Sequence, residues 1–305
     1  MSTRCSVGSA EAHEQLIGSA PHATAWLALE QPGPWGAKAF TDSHLDPELG
    51  RSLESAAAAA GVRACLIRRP GRHADVGRLG PRTVLLAHTG PRHAWMLRGE
   101  VTDPAALLDL DLDALAAGDA DAVRRSLSGL VPDSEPQLLV CTNGSRDLCC
   151  AVEGRPLVAA TAAERPEHVW EVTHTSGHRF APTTVLLPHG VLHGRVPLHG
   201  GVELLDASAA GGLVLQGYRG RTTWSGPAQV AELAVRERAL PTETFSLDAL
   251  DVQPAGDRWR VTHHDGRSWL VTVRSEQTGV ERAESCGKAA VAMLRYSVDT
   301  VQAEV

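Results

Sequence analysis

The sequence predicts an α/β fold, because short apolar runs typical of buried strands alternate with stretches typical of helices. The chain has 305 residues, which is enough for a sizeable core and for roughly two domains. Residues 83–88 (TVLLAH) match residues 184–189 (TVLLPH), and residues 63–73 (RACLIRRPGRH) align in pattern with residues 168–178 (HVWEVTHTSGH). These similarities favour two related lobes in tandem.

The first lobe is expected over residues 1–134. Its apolar runs predict strands at residues 25–29, 63–67, 83–87 and 94–98. Helices are expected over residues 47–60, which Gly61 ends, and within residues 103–126. The acidic, proline-bearing stretch VPDSEP at residues 131–136 is a plausible linker.

The second lobe, residues 135–220, repeats this order. Strands are predicted at residues 137–141 and 169–174, with a helix at 150–163 between them, and a hairpin joins residues 185–187 to 191–196. A small α/β extension is expected over residues 221–305. It would contain a helix at 228–238, strands at 250–252, 259–262 and 268–273, and an amphipathic closing helix at 283–296.

Composition excludes several classes of protein. With 29 Lys and Arg against 36 Asp and Glu, the net charge of −7 offers no excess for neutralising nucleic-acid phosphates. No stretch approaches the roughly 20 apolar residues of a membrane span, and residues 1–10 lack an apolar signal core. We therefore expect a cytoplasmic protein without nucleic-acid or membrane partners. In that compartment six cysteines point to metal or redox chemistry rather than to disulfides.

The residues that could bind a metal are concentrated in one part of the sequence. Cys141, Cys149 and Cys150 fall within ten residues, and His174 and His178 follow as a His-x3-His pair. Cys141 ends a predicted strand and Cys150 opens a helix, whose N-terminus favours the thiolate that a metal requires. Two thiolates and two imidazoles make a four-ligand metal site. Spacing alone does not distinguish zinc from an iron–sulfur cluster. The His-x3-His pair fits zinc, but the eight residues between Cys141 and Cys150 are more than structural zinc sites usually have.

The segments CTNGSRDLCCAVEG and VWEVTHTSGHRFAPTTVLLPHGVLHGRV resemble the sucrase/ferredoxin-like family of thioredoxin-fold ferredoxins. EQPGPWGAKA and SCGKAAVAMLRY extend the resemblance over most of the chain. It implies a thioredoxin-like ferredoxin fold whose second lobe holds a 2Fe–2S cluster. The implied ligands are of the bis-histidinyl type: Cys141, Cys150, His174 and His178. The family pattern R-D-x-x-C falls on Arg146, Asp147 and Cys150, which favours Cys150 over Cys149 as the second ligand.

This resemblance implies an electron carrier rather than a stand-alone enzyme, with a reductase or electron acceptor as its protein partner. Two thiolates and two neutral imidazoles leave the oxidised cluster near neutral, so the potential should exceed that of all-cysteine ferredoxins, and reduction should couple to proton uptake. Arg179 is expected to raise the potential further and Asp147 to anchor the loop. Sucrase chemistry is disfavoured because no carboxylate pair stands out.

Two alternatives belong to other classes of protein. One is a zinc-stabilised binding or scaffold protein that uses the same two cysteines and two histidines. The other is a thiol oxidoreductase that uses Cys149 and Cys150, against which the absence of a C-x-x-C motif speaks. The remaining cysteines have no histidine pattern around them and are expected to be small core residues: Cys5, Cys65 and Cys286.

Overall fold

The computed structural model describes residues 4–71, 80–240 and 246–304 of the chain. These residues form a mixed α/β structure with one large mixed sheet and one smaller antiparallel sheet. The large sheet contains the strands β1 Ala25–Glu30, β2 Val62–Arg68, β3 Arg82–His88, β4 Trp95–Val101, β5 Val131–Pro132, β6 Gln137–Cys141, β7 Val169–Val172, β8 Thr184–Leu187, β9 Val191–His193 and β10 Tyr218–Arg221.

The helices of the described ranges lie between and beside these strands. They are α1 Cys5–Glu11, α2 Ala39–Asp42, α3 Pro47–Ala59, α4 Leu112–Ala117, α5 Ala120–Ser126, α6 Leu148–Glu164, α7 Gly200–Ala209 and α8 Gly226–Ala239, with short 3-10 turns at Pro104–Asp109 and His178–Phe180. The start of α3 shows why the sequence places a helix there. The Asp46 carboxylate accepts hydrogen bonds from the backbone N–H groups of Glu48 and Leu49, which the helix leaves unpaired.

The strand order of the large sheet is β10-β9-β8-β6-β7-β2-β1-β3-β4-β5. In each half, a parallel pair (β1 with β2, β6 with β7) continues through two antiparallel neighbours, β3 and β4 or β8 and β9. The halves join where β2 and β7 pair antiparallel, with Arg68 opposite Glu171. The segments aligned in sequence thus occupy equivalent strand positions, although His73, at the end of one of them, lies outside the described residues.

Both faces of the large sheet are covered, which explains why its strands are continuously apolar. Along β1, Leu27 and Leu29 contribute to the core that packs against α3, whereas Trp26 and Ala28 point to the opposite face. That second face carries an apolar cluster that runs from Trp26 to Trp170 and so spans both halves. Side chains alternate between faces in a strand, so only a sheet buried on both sides needs apolar residues at every position.

The C-terminal part of the described chain forms the smaller sheet, in the order β11-β12-β13-β14. Its strands are β11 Leu250–Ala255, β12 Arg258–His263, β13 Ser268–Ala283 and β14 Ala290–Ala303. Helix α8 covers one face, with Val235 buried against Leu250, Val261 and Val271. The helix predicted at residues 228–238 and the three predicted strands are therefore present.

The prediction of a closing helix at residues 283–296 is wrong, because this segment forms the turn and the start of the second strand of a long hairpin. Residues 290–303 pair antiparallel with β13. The β13 strand supplies the backbone hydrogen bonds, and the segment continues into β-branched Val298, Thr300 and Val301, which favour strands. Met293 and Tyr296 also suit a helical apolar face, so the short apolar pattern does not distinguish the two structures.

The segment before β1 contacts the second half of the sheet. The backbone N–H of Gly18 donates to Arg219 O, and that of Ala23 donates to Thr222 O. Helix α1 lies against the turn at His178–Phe180 and against β13. In the described part of the chain, no helix has the length and apolarity that crossing a bilayer requires.

Candidate metal centre

Cys141 and His174 lie at the same edge of the sheet. Cys141 is the last residue of β6, and His174 follows β7, its parallel neighbour. The carboxyl ends of parallel strands meet at one edge of a sheet, which is where α/β proteins place their sites. Helix α6 approaches this edge closely, since a Cβ on Gly154 would come within 2.3 Å of Cys141 O.

Cys150 lies in the first turn of α6, which Asp147 caps. The Asp147 carboxylate accepts a hydrogen bond from Cys149 N at 2.9 Å through Oδ1. Its Oδ2 accepts from Ser285 Oγ at 2.7 Å and from Cys286 N at 2.8 Å. Asp147 therefore anchors the loop as the sequence predicts, and it does so against the β13–β14 turn.

The loop between the two histidines has an unusual backbone that a buried arginine holds. Ser176 and Gly177 both have positive φ, at 68° and 74°. The Arg219 guanidinium is fully buried, and it donates to Ser176 O at 2.9 Å and to Ser19 O at 2.7 Å. A Cβ on Gly177 would lie 2.6 Å from Arg219 Nη2, so glycine allows this close approach.

The structure brings the four predicted residues together. Cys150 Sγ lies 3.2 Å from His178 Nδ1, and the ring centroids of His174 and His178 are 4.8 Å apart. Cys141 and Cys150 belong to the same buried cluster, and Cys141 Sγ lies 3.8 Å from Thr173 O. Cys141 and Cys150 are buried, whereas the two imidazoles are half-buried.

The environment keeps the two imidazoles, but not the Cys150 thiol, in the form that binds a metal. The hydrogen bond from Cys150 lowers the pKa of Cys141, and the same bond together with burial raises the pKa of Cys150. Burial, assisted by the positive charge of Arg146, lowers the pKa of His174 to about 2, so its ring is neutral at physiological pH. Its Nδ1 is buried without a hydrogen-bond partner in the structure. A neutral imidazole with a free inward nitrogen is the form that coordinates metals.

Arg179 lies beside this centre and forms an ion pair. Its Nε donates to Glu14 Oε1 at 2.8 Å. Glu14 is buried and also pairs with Arg282 of β13. The positive charge of Arg179 is thus partly compensated. Any increase in redox potential caused by Arg179 would therefore be smaller than the sequence suggests.

The imidazole side of the centre opens into a cavity of about 860 Å³. His174 lines this cavity together with Asn143 of the cysteine loop. Its charged lining residues are mostly basic: Lys38, Arg51, Arg63, Arg146 and, as the acidic exception, Glu54. The cavity gives His174, rather than Cys141 or Cys150, access to solvent.

A second group of sulfur atoms lies next to this centre, and the sequence did not reveal it. Cys149 Sγ lies 3.6 Å from Cys5 Sγ and 3.4 Å from Cys286 Sγ. With Asp147, these residues form a cluster that could hold a metal ion, since all four ligand atoms lie within 4.8 Å of one another. Cys5 and Cys65 are buried, as the sequence predicts, whereas Cys286 is only partly buried. The sequence did not predict the contacts of Cys5 and Cys286 with Cys149.

No local signal could have found this second cluster, because its members come from three distant parts of the chain. Cys5 and Cys286 are separated by 281 residues. Only the turn between β13 and β14, which the sequence assigned to a helix, brings Cys286 to Cys149.

Comparison with known proteins finds a family match for the part of the chain that contains the first centre. The family model for sucrase/ferredoxin-like proteins matches residues 16–220, more than half of the chain, and includes the two cysteines and two histidines. No curated protein and no solved structure matches the chain significantly. The matched range excludes Cys5 and Cys286. The chain belongs to the sucrase/ferredoxin-like family.

Proposed function

We propose that this protein transfers single electrons through a 2Fe–2S cluster held by Cys141, Cys150, His174 and His178, in the second of two thioredoxin-like lobes. The observation that carries the proposal is the meeting of two buried thiols and two neutral imidazoles at one edge of the sheet, with Nδ1 of His174 unpartnered. When bound, the cluster supplies a one-electron redox centre with a potential above that of all-cysteine ferredoxins.

The spread of the donor atoms supports a cluster over a single zinc ion. Four ligands of one tetrahedral zinc lie within about 4 Å of one another, given bonds of roughly 2.0–2.3 Å. Among the described residues, the four predicted ligands do not form a group of donor atoms close enough together to hold one metal ion. Donors arranged as pairs suit a larger centre with two metal ions.

The chain's own charges favour the reduced state. Two thiolates and two neutral imidazoles carry less negative charge than four thiolates would. The fully buried Arg219 retains its positive charge at neutral pH, although burial lowers its pKa to about 9. A fixed positive charge beside the site stabilises an added electron in this poorly solvated environment.

The orientation of the histidines supports proton coupling. Nδ1 of His178 faces Cys150, and Nδ1 of His174 is buried, so Nε2 is the outer nitrogen of each ring. His174 lines the open cavity, where its Nε2 can exchange a proton with solvent. Added electron density on the inner side raises the proton affinity of the outer nitrogen, so reduction takes up a proton near the pKa of the ligated imidazole.

The same cavity is the surface on which we expect the redox partner to dock. An imidazole at the cavity wall offers the shortest path for an electron between the centre and solvent. The basic residues of the lining favour an acidic partner surface, because complementary charge speeds and orients association.

The thiol oxidoreductase alternative has weaker support. Cys149 Sγ points towards Cys5 and Cys286, whereas Cys150 Sγ points towards His178. The two neighbouring thiols therefore face different groups. A dithiol catalyst needs both thiols at the same substrate disulfide, one to attack it and the other to resolve the mixed disulfide.

Metal analysis of anaerobically purified protein, combined with its visible spectrum, tests the proposal. We expect a red-brown protein that dithionite bleaches, with iron and acid-labile sulfide in equal amounts. Cys150→Ser and His174→Ala should lose this iron, whereas Cys65→Ser, at a buried cysteine outside both clusters, should retain it. A colourless wild-type protein with zinc bound through these four residues would contradict the proposal.

A further inference from the structure

We infer that Cys5, Cys149 and Cys286 form a second, separate metal site, which takes a thiolate-preferring divalent cation of the zinc type. The inference does not depend on the proposed function, because the site uses none of the four residues assigned to the cluster. It rests on the geometry of three sulfur atoms, on the carboxylate beside them and on the burial of the group.

The three sulfur atoms form a nearly equilateral triangle. The Sγ–Sγ distances are 3.6 Å for Cys5–Cys149, 3.4 Å for Cys149–Cys286 and 3.6 Å for Cys286–Cys5. Three thiolates bound to one tetrahedral zinc lie roughly 3.8 Å apart, given Zn–S bonds of about 2.3 Å. A disulfide would instead bring one pair to about 2.05 Å and exclude the third thiol. Equal spacing therefore fits a shared ion better than a covalent bond.

Asp147 supplies the fourth donor. Both of its carboxylate oxygens lie 3.6 Å from Cys5 Sγ, and its oxygen completes the group of four ligand atoms within 4.8 Å. Hydrogen bonds from Cys149 N, Cys286 N and Ser285 Oγ fix the carboxylate, and Oδ1, which accepts only the first of them, keeps a lone pair for a metal. Such outer contacts orient metal ligands in known sites.

The charge of the group also requires compensation. Cys5, Cys149 and Asp147 are almost fully buried. Within the described ranges, no Lys or Arg side chain forms an ion pair with Asp147, and the groups that hold its carboxylate are neutral donors. The N-terminus of α6, where Cys149 lies, offers only a partial positive charge. A divalent cation would offset two of the four negative charges that the carboxylate and the three thiolates carry together.

A metal here would join three distant segments. Cys5 lies on α1, Cys149 at the start of α6 and Cys286 in the turn between β13 and β14. Cys149 precedes Cys150, so the ion would also fix the helix turn that presents Cys150. The family match covers residues 16–220, so Asp147 and Cys149 lie within it, whereas Cys5 and Cys286 come from the segments on either side of it.

The test measures zinc and iron together in the full-length protein, expressed with both metals in the medium. We expect one zinc ion per chain in the wild type, in addition to any iron. Cys5→Ser and Cys286→Ser should lose the zinc and keep the iron and the visible spectrum. Cys65→Ser should keep both metals, and His174→Ala should lose iron while it keeps zinc, which separates this site from the proposed cluster.

Three results would overturn the inference: a wild-type protein without zinc, an intact mass lower by two hydrogens because a pair of these thiols is oxidised, or zinc retained in both serine variants. If the variants do not fold, the inference can be tested in the folded wild-type protein by measuring alkylation of the three cysteines before and after removal of zinc. Zinc-bound protein should protect Cys5, Cys149 and Cys286, and removal of zinc with a chelator should expose all three. Equal alkylation before and after chelation would also overturn the inference.

Discussion

Cys150 Sγ lies 3.2 Å from His178 Nδ1, although 28 residues separate them in the chain. The contact joins the first turn of α6 to the 3-10 turn that follows β7, so it closes the two loops at the edge of the sheet onto each other. It also fixes which nitrogen of His178 faces inward. The ligand set, the charge and the proton coupling that we propose all depend on this pairing.

Replacement of His178 by cysteine tests the charge argument. In His178→Cys a thiolate replaces a neutral imidazole, so the reduction potential should fall by on the order of 100 mV and vary less with pH. Potentiometric titration between pH 6 and pH 9 measures both effects. His199→Cys, at an exposed histidine before α7, should leave the potential unchanged. An unaltered potential in His178→Cys would remove His178 from the ligand set.

Removal of the Arg219 charge should make reduction harder. For scale, two unit charges separated by about 8 Å at an effective dielectric constant of about 20 interact by about 2 kcal/mol, or roughly 90 mV for a one-electron couple. We therefore expect a potential lower by tens of millivolts in Arg219→Met, measured in the same titration. Arg238→Met, at an exposed arginine of α8, is the matched control. Equal potentials in the two variants would contradict the role of Arg219.

Glu14 should stabilise the packing of the N-terminal segment. Burial raises its pKa, but the hydrogen bond from Arg282 and the charge of Arg179 outweigh that effect, so the pKa lies below the usual value. Glu14→Gln leaves two arginines poorly compensated and should lower the free energy of unfolding by about 3 kcal/mol. Urea denaturation measures this loss. Glu54→Gln, at an exposed position, should change stability little, and equal stability of both variants would refute the assignment.

His193 should make the protein sensitive to mild acid. It is fully buried, and burial lowers its pKa to about 4 despite the hydrogen bond of Nε2 to Val214 O. Because the folded-state pKa is below the unfolded value of about 6.5, stability is complete above pH 6.5 and is lost as the pH falls towards 4. The loss should approach about 3 kcal/mol at the acid end.

Unfolding free energies measured between pH 7 and pH 4 test this prediction. In His193→Gln, the neutral amide can still donate to Val214 O and does not titrate, so the fall in stability over this range should be smaller than in the wild type. A parallel fall in both proteins would assign the acid sensitivity to other groups.

The sequence predicts the site better than it predicts the surroundings of the site. Cys141 and His174 end neighbouring parallel strands, and Cys150 and His178 lie within ten residues of them, so local pattern is enough to place all four at one edge. The β13–β14 hairpin is different. The apolar spacing of residues 290–296 fits a helix or a strand, and only pairing with β13 decides between them.

The three-sulfur cluster depends on the same β13–β14 hairpin, whose structure the local sequence does not determine. Cys286 reaches Cys149 because the hairpin places its turn against Asp147. Cys5 reaches them because α1 packs on the same surface, and nothing in the residues around Cys5 encodes that contact. Contacts between segments this distant depend on tertiary packing, which periodicity and motif spacing do not describe.

The most direct measurement is the EPR spectrum of the dithionite-reduced protein, recorded with detection of nitrogen hyperfine couplings. We expect the signal of one reduced 2Fe–2S cluster per chain with couplings from two imidazoles, one of which disappears in His178→Cys. An EPR-silent protein with zinc at the four residues, or a cluster signal without imidazole couplings, would contradict the account.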